Sequence, residues 1–306
     1  MKGMRLLFSA LLLCLPAAAQ TRVWIDADTA NEIDDLYAIT RMLAAPELEI
    51  VALSSAQWSK SPAAEGNTLE ASQRLNEALL GLARRMSIPH PRGSAVGVYW
   101  WGAERAAHSA ASYHLIRAAH ATPAGRKLTV IALGALTNVA SALMIDPSIA
   151  PKMLLYWLGA FIDTGKGVWD KSEFNCLNDI PALNEVLNRT DLELFVMPAS
   201  VARALTFDYA STAERLAKHG RLGAFLLDRW KQHAPGSSTW IMWDLAAAEW
   251  LLKPGLVKWK RLRTPPENTP RDVAVAISID AEAMRADFWQ SIGRLTDASY
   301  PGQSRE

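Results

Sequence analysis

Cysteine is almost absent from this 306-residue chain, which has only Cys14 and Cys176. Cys14 sits in an apolar N-terminal run, so removal of that run leaves Cys176 alone and excludes an intramolecular disulfide framework. Charge of either sign is not in excess: 32 basic and 31 acidic residues give a formal net charge of +1. No stripe of lysine and arginine interrupts that balance, so the electrostatic footprint of a nucleic-acid binder is missing. Histidine is scarce, and His90, His108, His114, His120 and His219 follow no ligand spacing. Only His233 lies in the approach to a functional-looking segment, ahead of Trp243, where it is a candidate proton donor. Internal repeats and low-complexity tracts are also lacking. The longest uncharged apolar run falls short of the roughly 20 residues that span a bilayer.

That run reads as an address. Lys2 and Arg5 precede apolar residues 6–15, followed by Pro16 and Ala17-Ala18-Ala19, the charged, apolar and small-residue order of a secretory signal peptide. Cleavage after Ala19 would leave Gln20 first and give an exported protein, periplasmic or extracellular, with no membrane attachment once the signal is gone. The rest, residues 20–306, has no linker-like stretch and is expected to be one catalytic domain.

Short β-rich apolar runs alternate with longer amphipathic ones. Residues 22–25, 50–54, 128–133, 153–158, 192–196 and 272–278 read as strands, and 36–43, 69–84, 103–119, 136–144 and 180–187 as helices. This alternation predicts an α/β fold, an open, mostly parallel Rossmann-like sheet with helices on both faces. Ligands of such sheets bind beyond the carboxyl ends of the strands. Residues in that position are rich in oxygen donors. After the first strand, Asp26, Asp28, Glu32, Asp34 and Asp35 place five acids within ten residues. Carboxylates so close repel one another and call for open water or a hard divalent cation. Ser54-Ser55-Ala56-Gln57-Trp58 and then Gly66-Asn67 follow the second strand; Gly134-Ala135-Leu136-Thr137-Asn138 follows the third. Glu173-Phe174-Asn175 and Trp243-Asp244 come later.

Taken together these segments resemble the calcium-dependent nucleoside hydrolases, the inosine-uridine-preferring family that cleaves the N-glycosidic bond of ribonucleosides. The family's Asp-x-Asp-x-Gly-x-Asp-Asp opening stands here as Asp26-x-Asp28-x-Ala30, two extra residues, then x-Asp34-Asp35. Gly66-Asn67 with Asn76, Gly134-x-Leu136-Thr137-Asn138 and Glu173-Phe174-Asn175 follow in the family's order.

The resemblance implies that Asp28, Asp35, Asp244 and the backbone carbonyl of Thr137 bind Ca²⁺. It implies that Asp34, Asn67, Glu173 and Asn175 hold ribose hydroxyls, with Asp26 behind them orienting the loop. A water polarised by the ion would be the nucleophile and Asp28 its general base. The chemistry asks for the same inventory, because breaking the C1′–N bond builds positive charge on the sugar that nearby carboxylates stabilise. The resemblance further implies a small-molecule nucleoside substrate and a homo-oligomer.

One departure bears on the base. Many members have histidine directly before the last metal-binding aspartate; this chain has Trp243, which resembles the purine-preferring branch, where aromatic rings sandwich the base. Trp58, Trp100 or Trp101 would supply the second ring. Two other classes remain open from the residues alone. One is a magnesium-dependent phosphohydrolase, which needs a lysine and a second acidic pair at later strand ends. The other is an exported, non-catalytic ribose- or nucleoside-binding protein.

Overall fold

A computed structural model describes residues 20–98 and 105–297, with side chains to 295. Eleven strands are described: β1 (Thr21–Ala27), β2 (Leu48–Ser55), β3 (Leu128–Ala132), β4 (Met153–Leu158), β5 (Phe161–Asp163), β6 (Val168–Asp170), β7 (Glu193–Met197), β8 (Thr206–Asp208), β9 (Thr239–Ile241), β10 (Val257–Arg263) and β11 (Asp272–Ile279). The helices are α1 (Asp34–Leu43), α2 (Thr68–Leu82), α3 (Ala110–His120), α4 (Thr137–Ile145), α5 (Phe174–Asn178), α6 (Ile180–Asn188), α7 (Ala199–Ala202), α8 (Tyr209–Leu216), α9 (Gly220–His233), α10 (Trp243–Leu252) and α11 (Ala281–Asp297).

Seven strands form one sheet in the order β10-β11-β7-β4-β3-β1-β2. All neighbours are parallel except β10, which runs antiparallel to β11 at the edge. Val23, Trp24 and Ile25 of β1 have no solvent exposure, because a central parallel strand is covered on both faces and reads as continuous apolar sequence. One core packs α1, α2 and α8 to α11 against the sheet; the other packs α3, α4 and α6 on the opposite face. The mixed α/β single domain expected from the alternation is the observed one.

The chain leaves β1 for β2 on one side and returns to β3 on the other, so order reverses at β1. Loops leaving β1 and β3 in opposite directions open a crevice at their carboxyl ends.

The structure differs from the sequence reading in several places, beginning with α7, α8, α9 and α11, which no expected helix covers. The helix expected over 103–119 begins at Ala110, where Ser109 and Ser112 form a reciprocal capping box that ends the preceding coil. Residues 103 and 104 lie outside the described residues. The strand β10 was not anticipated: its alternating, largely exposed charged residues carry the signature of an edge strand rather than a core one. The hairpins β5–β6 and β8–β9 use strands of three residues each, too short to show a period.

Candidate active site

At the carboxyl end of β1 the backbone turns sharply, with the Asn31 N–H donating to the Asp28 carbonyl at 2.7 Å. Ala30, in the place of the family's glycine, is not in the left-handed region: among the described residues the only non-glycine positions there are Arg84 and Ala160. The two extra residues reroute the loop so that no glycine is needed. Thr29 donates its hydroxyl to Asn76 Oδ1 at 2.5 Å, bracing the loop against α2.

A cleft of about 130 Å³ opens above this loop. Its acidic wall is Asp28, Glu32, Asp34, Asp35, Glu173 and Asp244. Leu133 and Leu158 close its floor from the ends of β3 and β4, and Phe161, Phe174 and Trp243 supply aromatic wall. Asp34 and Asp35 open α1 and Asp244 opens α10; one carboxylate oxygen of each lies within 4.8 Å of the others. A backbone contact ties the two helix N-termini, the Asp244 N–H donating to Asp34 Oδ2 at 2.9 Å.

Buried carboxylate oxygens normally have hydrogen-bond partners, yet Asp28 Oδ2, Asp35 Oδ1 and Asp244 Oδ1 have none. Burial, and then the charges of neighbouring acids, pushes all three carboxyls well above their ordinary range. Burial raises Asp34 to about 6 against the pull of N–H donors, and raises Glu32 to about 8 with help from Asp34 and Glu173. Hard oxygen donors, orphaned and mutually repelling, are what a divalent cation satisfies. The residues present fit one.

Glu173 caps α5. Its carboxylate accepts from the backbone N–H groups of Asn175, Cys176 and Ala160 at 3.0, 3.1 and 3.0 Å. Ala160 reaches it in a left-handed conformation with φ of 63°. Burial raises the Glu173 pKa in spite of these donors. Asn175 spends both amide hydrogens on the Leu133 and Leu158 carbonyls, at 3.0 and 3.1 Å, so its remaining capacity toward a ligand is as an acceptor. Asp26 lies behind the cleft, with Oδ1 accepting from Ser54 Oγ at 2.7 Å and Asn138 Nδ2 at 2.9 Å. Burial raises it to about 7 against those bonds.

The structure therefore gathers Asp28, Asp34, Asp35, Glu173, Asn175, Trp243 and Asp244 around one cleft, with Asp26 supporting it. Two expected residues are not on its wall. Asn67 is exposed and caps α2, accepting from the Glu70 N–H at 3.3 Å; the preceding loop of residues 56–66 holds it at the helix start, away from the acids. Thr137 is the first residue of α4; its hydroxyl donates to Asp179 Oδ2 at 2.7 Å, and it is not among the residues lining the cleft. The main-chain segment that does reach the cleft from β3 is Leu133. Its apolar side chain gave no sequence signal; only its position directly after a strand could have pointed to it.

The aromatic expectation is met by different rings. Trp58 is buried, with Nε1 donating to Ser72 Oγ at 3.2 Å, and does not line the cleft. Trp100 and Trp101 lie outside the described residues. Phe161, 42% exposed, and Phe174 face the cleft along with half-buried Trp243. His233 packs perpendicular to Trp240 at 5.0 Å, and Trp240 in turn meets Trp243 edge-on at 6.4 Å, so the imidazole is separated from the cleft by two rings.

A parallel sheet carrying an oxygen-rich, cation-fitting cleft at its order reversal defines a sugar- or phosphate-handling α/β enzyme. No lysine, arginine or histidine is among the described residues lining the cleft, which disfavours a phosphate. Comparison with known proteins makes the assignment narrower. Residues 23–291 match the model of the inosine-uridine preferring nucleoside hydrolase family. The chain belongs to that family and is an N-ribohydrolase. It is 28% identical over 255 residues to the non-specific ribonucleoside hydrolase RihC of Escherichia coli K12, covering 78% of this chain and 82% of that one. Its fold matches a plant nucleoside hydrolase with a TM-score of 0.69 at 20% identity, over 90% of this chain and 99% of the other. It also matches a purine-preferring ribonucleoside hydrolase from Gardnerella vaginalis with a TM-score of 0.70 at 18% identity, over 91% and 100%.

Proposed function

We propose that this protein hydrolyses the N-glycosidic bond of ribonucleosides with Ca²⁺ as its resident ion. The observation that carries the reading is the set of orphaned oxygens on Asp28, Asp35 and Asp244, buried beside Asp34, Glu173 and Asn175. Asp28, Asp35 and Asp244 would hold the ion, with the Leu133 carbonyl as the main-chain donor in place of Thr137. A bound calcium supplies a fixed double charge that gathers sugar hydroxyls and acidifies a nearby water.

The chain's own groups do the rest. Asp34, Glu173 and the acceptor of Asn175 take the vicinal hydroxyls of ribose, which holds C1′ against the acidic wall and turns binding into positioning. Asp28 accepts the proton of the attacking water. The developing positive charge on the sugar lies among carboxylates whose repulsion it relieves, so stabilisation is larger in the transition state than in the ground state. Trp243 with Phe161 or Phe174 offers aromatic faces to the base, and a purine presents the larger area to stack. Residues 1–19 support export, with the mature enzyme scavenging nucleosides outside the cytoplasm as a homo-oligomer.

Incubation with inosine, adenosine, guanosine, uridine and cytidine, followed by assay of free base, tests this directly. Release that disappears with a chelator and returns with Ca²⁺ is expected, fastest for the purines. Binding of nucleosides without release would identify a binding protein, and turnover of a phosphate ester alone a phosphohydrolase. Trp243→Ala should raise KM for purine nucleosides; an unchanged KM would remove the stacking role.

A further inference from the structure

When the C1′–N bond of a nucleoside breaks, its electron pair leaves with the base. A neutral base therefore departs as an anion unless a proton reaches one of its ring nitrogens as the bond gives way. The donor must line the cleft, hold a proton at neutral pH and be free of other tasks. Among the described residues lining the cleft there is no histidine, lysine, arginine, tyrosine or cysteine, so the search falls on its six carboxyls. His233 is no alternative, since it stands behind Trp240.

Five of the six are committed. Asp28, Asp35 and Asp244 carry the orphaned oxygens assigned to the ion. Asp34 accepts from the Asp244 N–H, and Glu173 accepts from three backbone N–H groups; such donors favour the charged form of each. Glu32 is the exception. It is half-buried on the wall, and no hydrogen bond holds its carboxyl among the described residues. It belongs to the lengthened stretch that sets this loop apart from the family's opening motif.

The charged groups around Glu32 are all acids: Asp34, Glu173, Asp28 and Asp35. Burial first, and then Asp34 and Glu173, raise it to about 8. An ion held by Asp28 and Asp35 offsets the charge of those two and leaves the other causes acting. The carboxyl thus keeps its proton at neutral pH. Phe174, one of the rings offered to the base, directly follows Glu173, which puts Glu32 at the same end of the cleft as that ring.

From this arrangement we infer that Glu32 is the general acid that protonates the departing base. The inference rests on the ribohydrolase reading and adds a catalytic residue to it. As the C1′–N bond breaks and its electron pair passes to the base, the Glu32 O–H gives its proton to a ring nitrogen and becomes a carboxylate. Water oxygen bonds to C1′ and its proton passes to Asp28. Solvent then removes the proton from Asp28 and returns one to Glu32, so that nucleoside and water balance ribose and neutral base.

The test compares Glu32→Gln with the unaltered chain, both with Ca²⁺, on inosine and on 4-nitrophenyl riboside, whose phenolate leaves without needing a proton. For inosine, kcat should fall by about 10²-fold or more with KM little changed, while 4-nitrophenyl riboside is cleaved at close to the original rate. The nitrophenyl rate also shows that the variant is folded. In the unaltered chain, kcat for inosine should decline above about pH 8, and the nitrophenyl substrate should lack that limb. Glu32→Asp, which keeps the acid on a shorter stem, should recover part of the inosine rate.

Equal losses on the two substrates would mark a structural role, and an unchanged inosine rate would mean that another group gives the proton. Either result overturns the inference and leaves the hydrolase reading standing. Absence of free base from every nucleoside with the unaltered chain overturns both.

Discussion

Arg41 and Glu249 meet at 3.0 Å with neither side chain reaching solvent. Arg41 lies about two turns along α1 from Asp34, and Glu249 between one and two turns along α10 from Asp244. The helices whose first turns carry the acidic triad are thus latched by an ion pair deep in the core, with Asp287 of α11 as a second partner for the guanidinium. Burial raises Glu249 to about 8, more than the Arg41 charge lowers it, so the pair is held in place at a desolvation cost.

Removing one partner strands the other. Arg41→Ala is expected to destabilise the fold by about 3–5 kcal/mol, read from the urea midpoint at constant m. Arg41→Met combined with Glu249→Leu should recover most of that loss, since the double change buries no unpaired charge between these helices.

Gly134 is needed because of its neighbour. A methyl group there would come within 2.8 Å of Asp28 Cγ and Oδ1, closer than packed atoms allow. Gly134→Ala should therefore displace the Asp28 carboxylate and cut kcat by about 10²-fold, the scale of an ångström-level misplacement of a reacting group. A melting temperature near that of the unaltered protein would locate the loss in the site.

Asp28→Asn keeps the size of the side chain and removes its basicity. Turnover of nucleosides should fall by about 10²–10⁴-fold while much of the substrate affinity survives, measured by equilibrium titration with inosine. Full activity in this variant would refute Asp28 as the base.

The ion-free protein should lose stability as pH rises. Asp26 is raised from 3.8 to about 7 and Glu249 from 4.5 to about 8, both mainly by burial. Between these limits the folded state holds protons that the unfolded state has released, so ΔG of unfolding declines from about pH 4 to about pH 8. Urea titrations in chelator across that range check the slope. Calcium at 100 times its Kd should restore about 2.7 kcal/mol by binding only the folded state; an unchanged melting temperature would contradict an ion at this site.

Much of the architecture was legible because local chemistry dictates it. The apolar run of β1 and the alternation of strands with amphipathic helices required a covered parallel sheet. The dense acids that follow β1 required a cation or water. Glu173 and Asn175 stood at a loop after β4, and Trp243 and Asp244 at the head of an apolar helix, so their arrival at one cleft followed from topology. Asn67 and Thr137 show where that reasoning stops: each sits in a matching motif near a strand end, yet one caps a helix in the open and the other bonds to Asp179.

Chain order and residue type were enough to establish the fold class, the family and the acids from Asp26 to Asp35, since periodicity and charge density act over a few residues. Folding in three dimensions decided the rest: that Leu133 rather than Thr137 reaches the cleft, that Phe161 and Phe174 face it, and that Glu32 joins its wall. These outcomes depend on distances between strand ends far apart in the chain. Such distances are set by how the two cores pack against the sheet, and no local pattern encodes them.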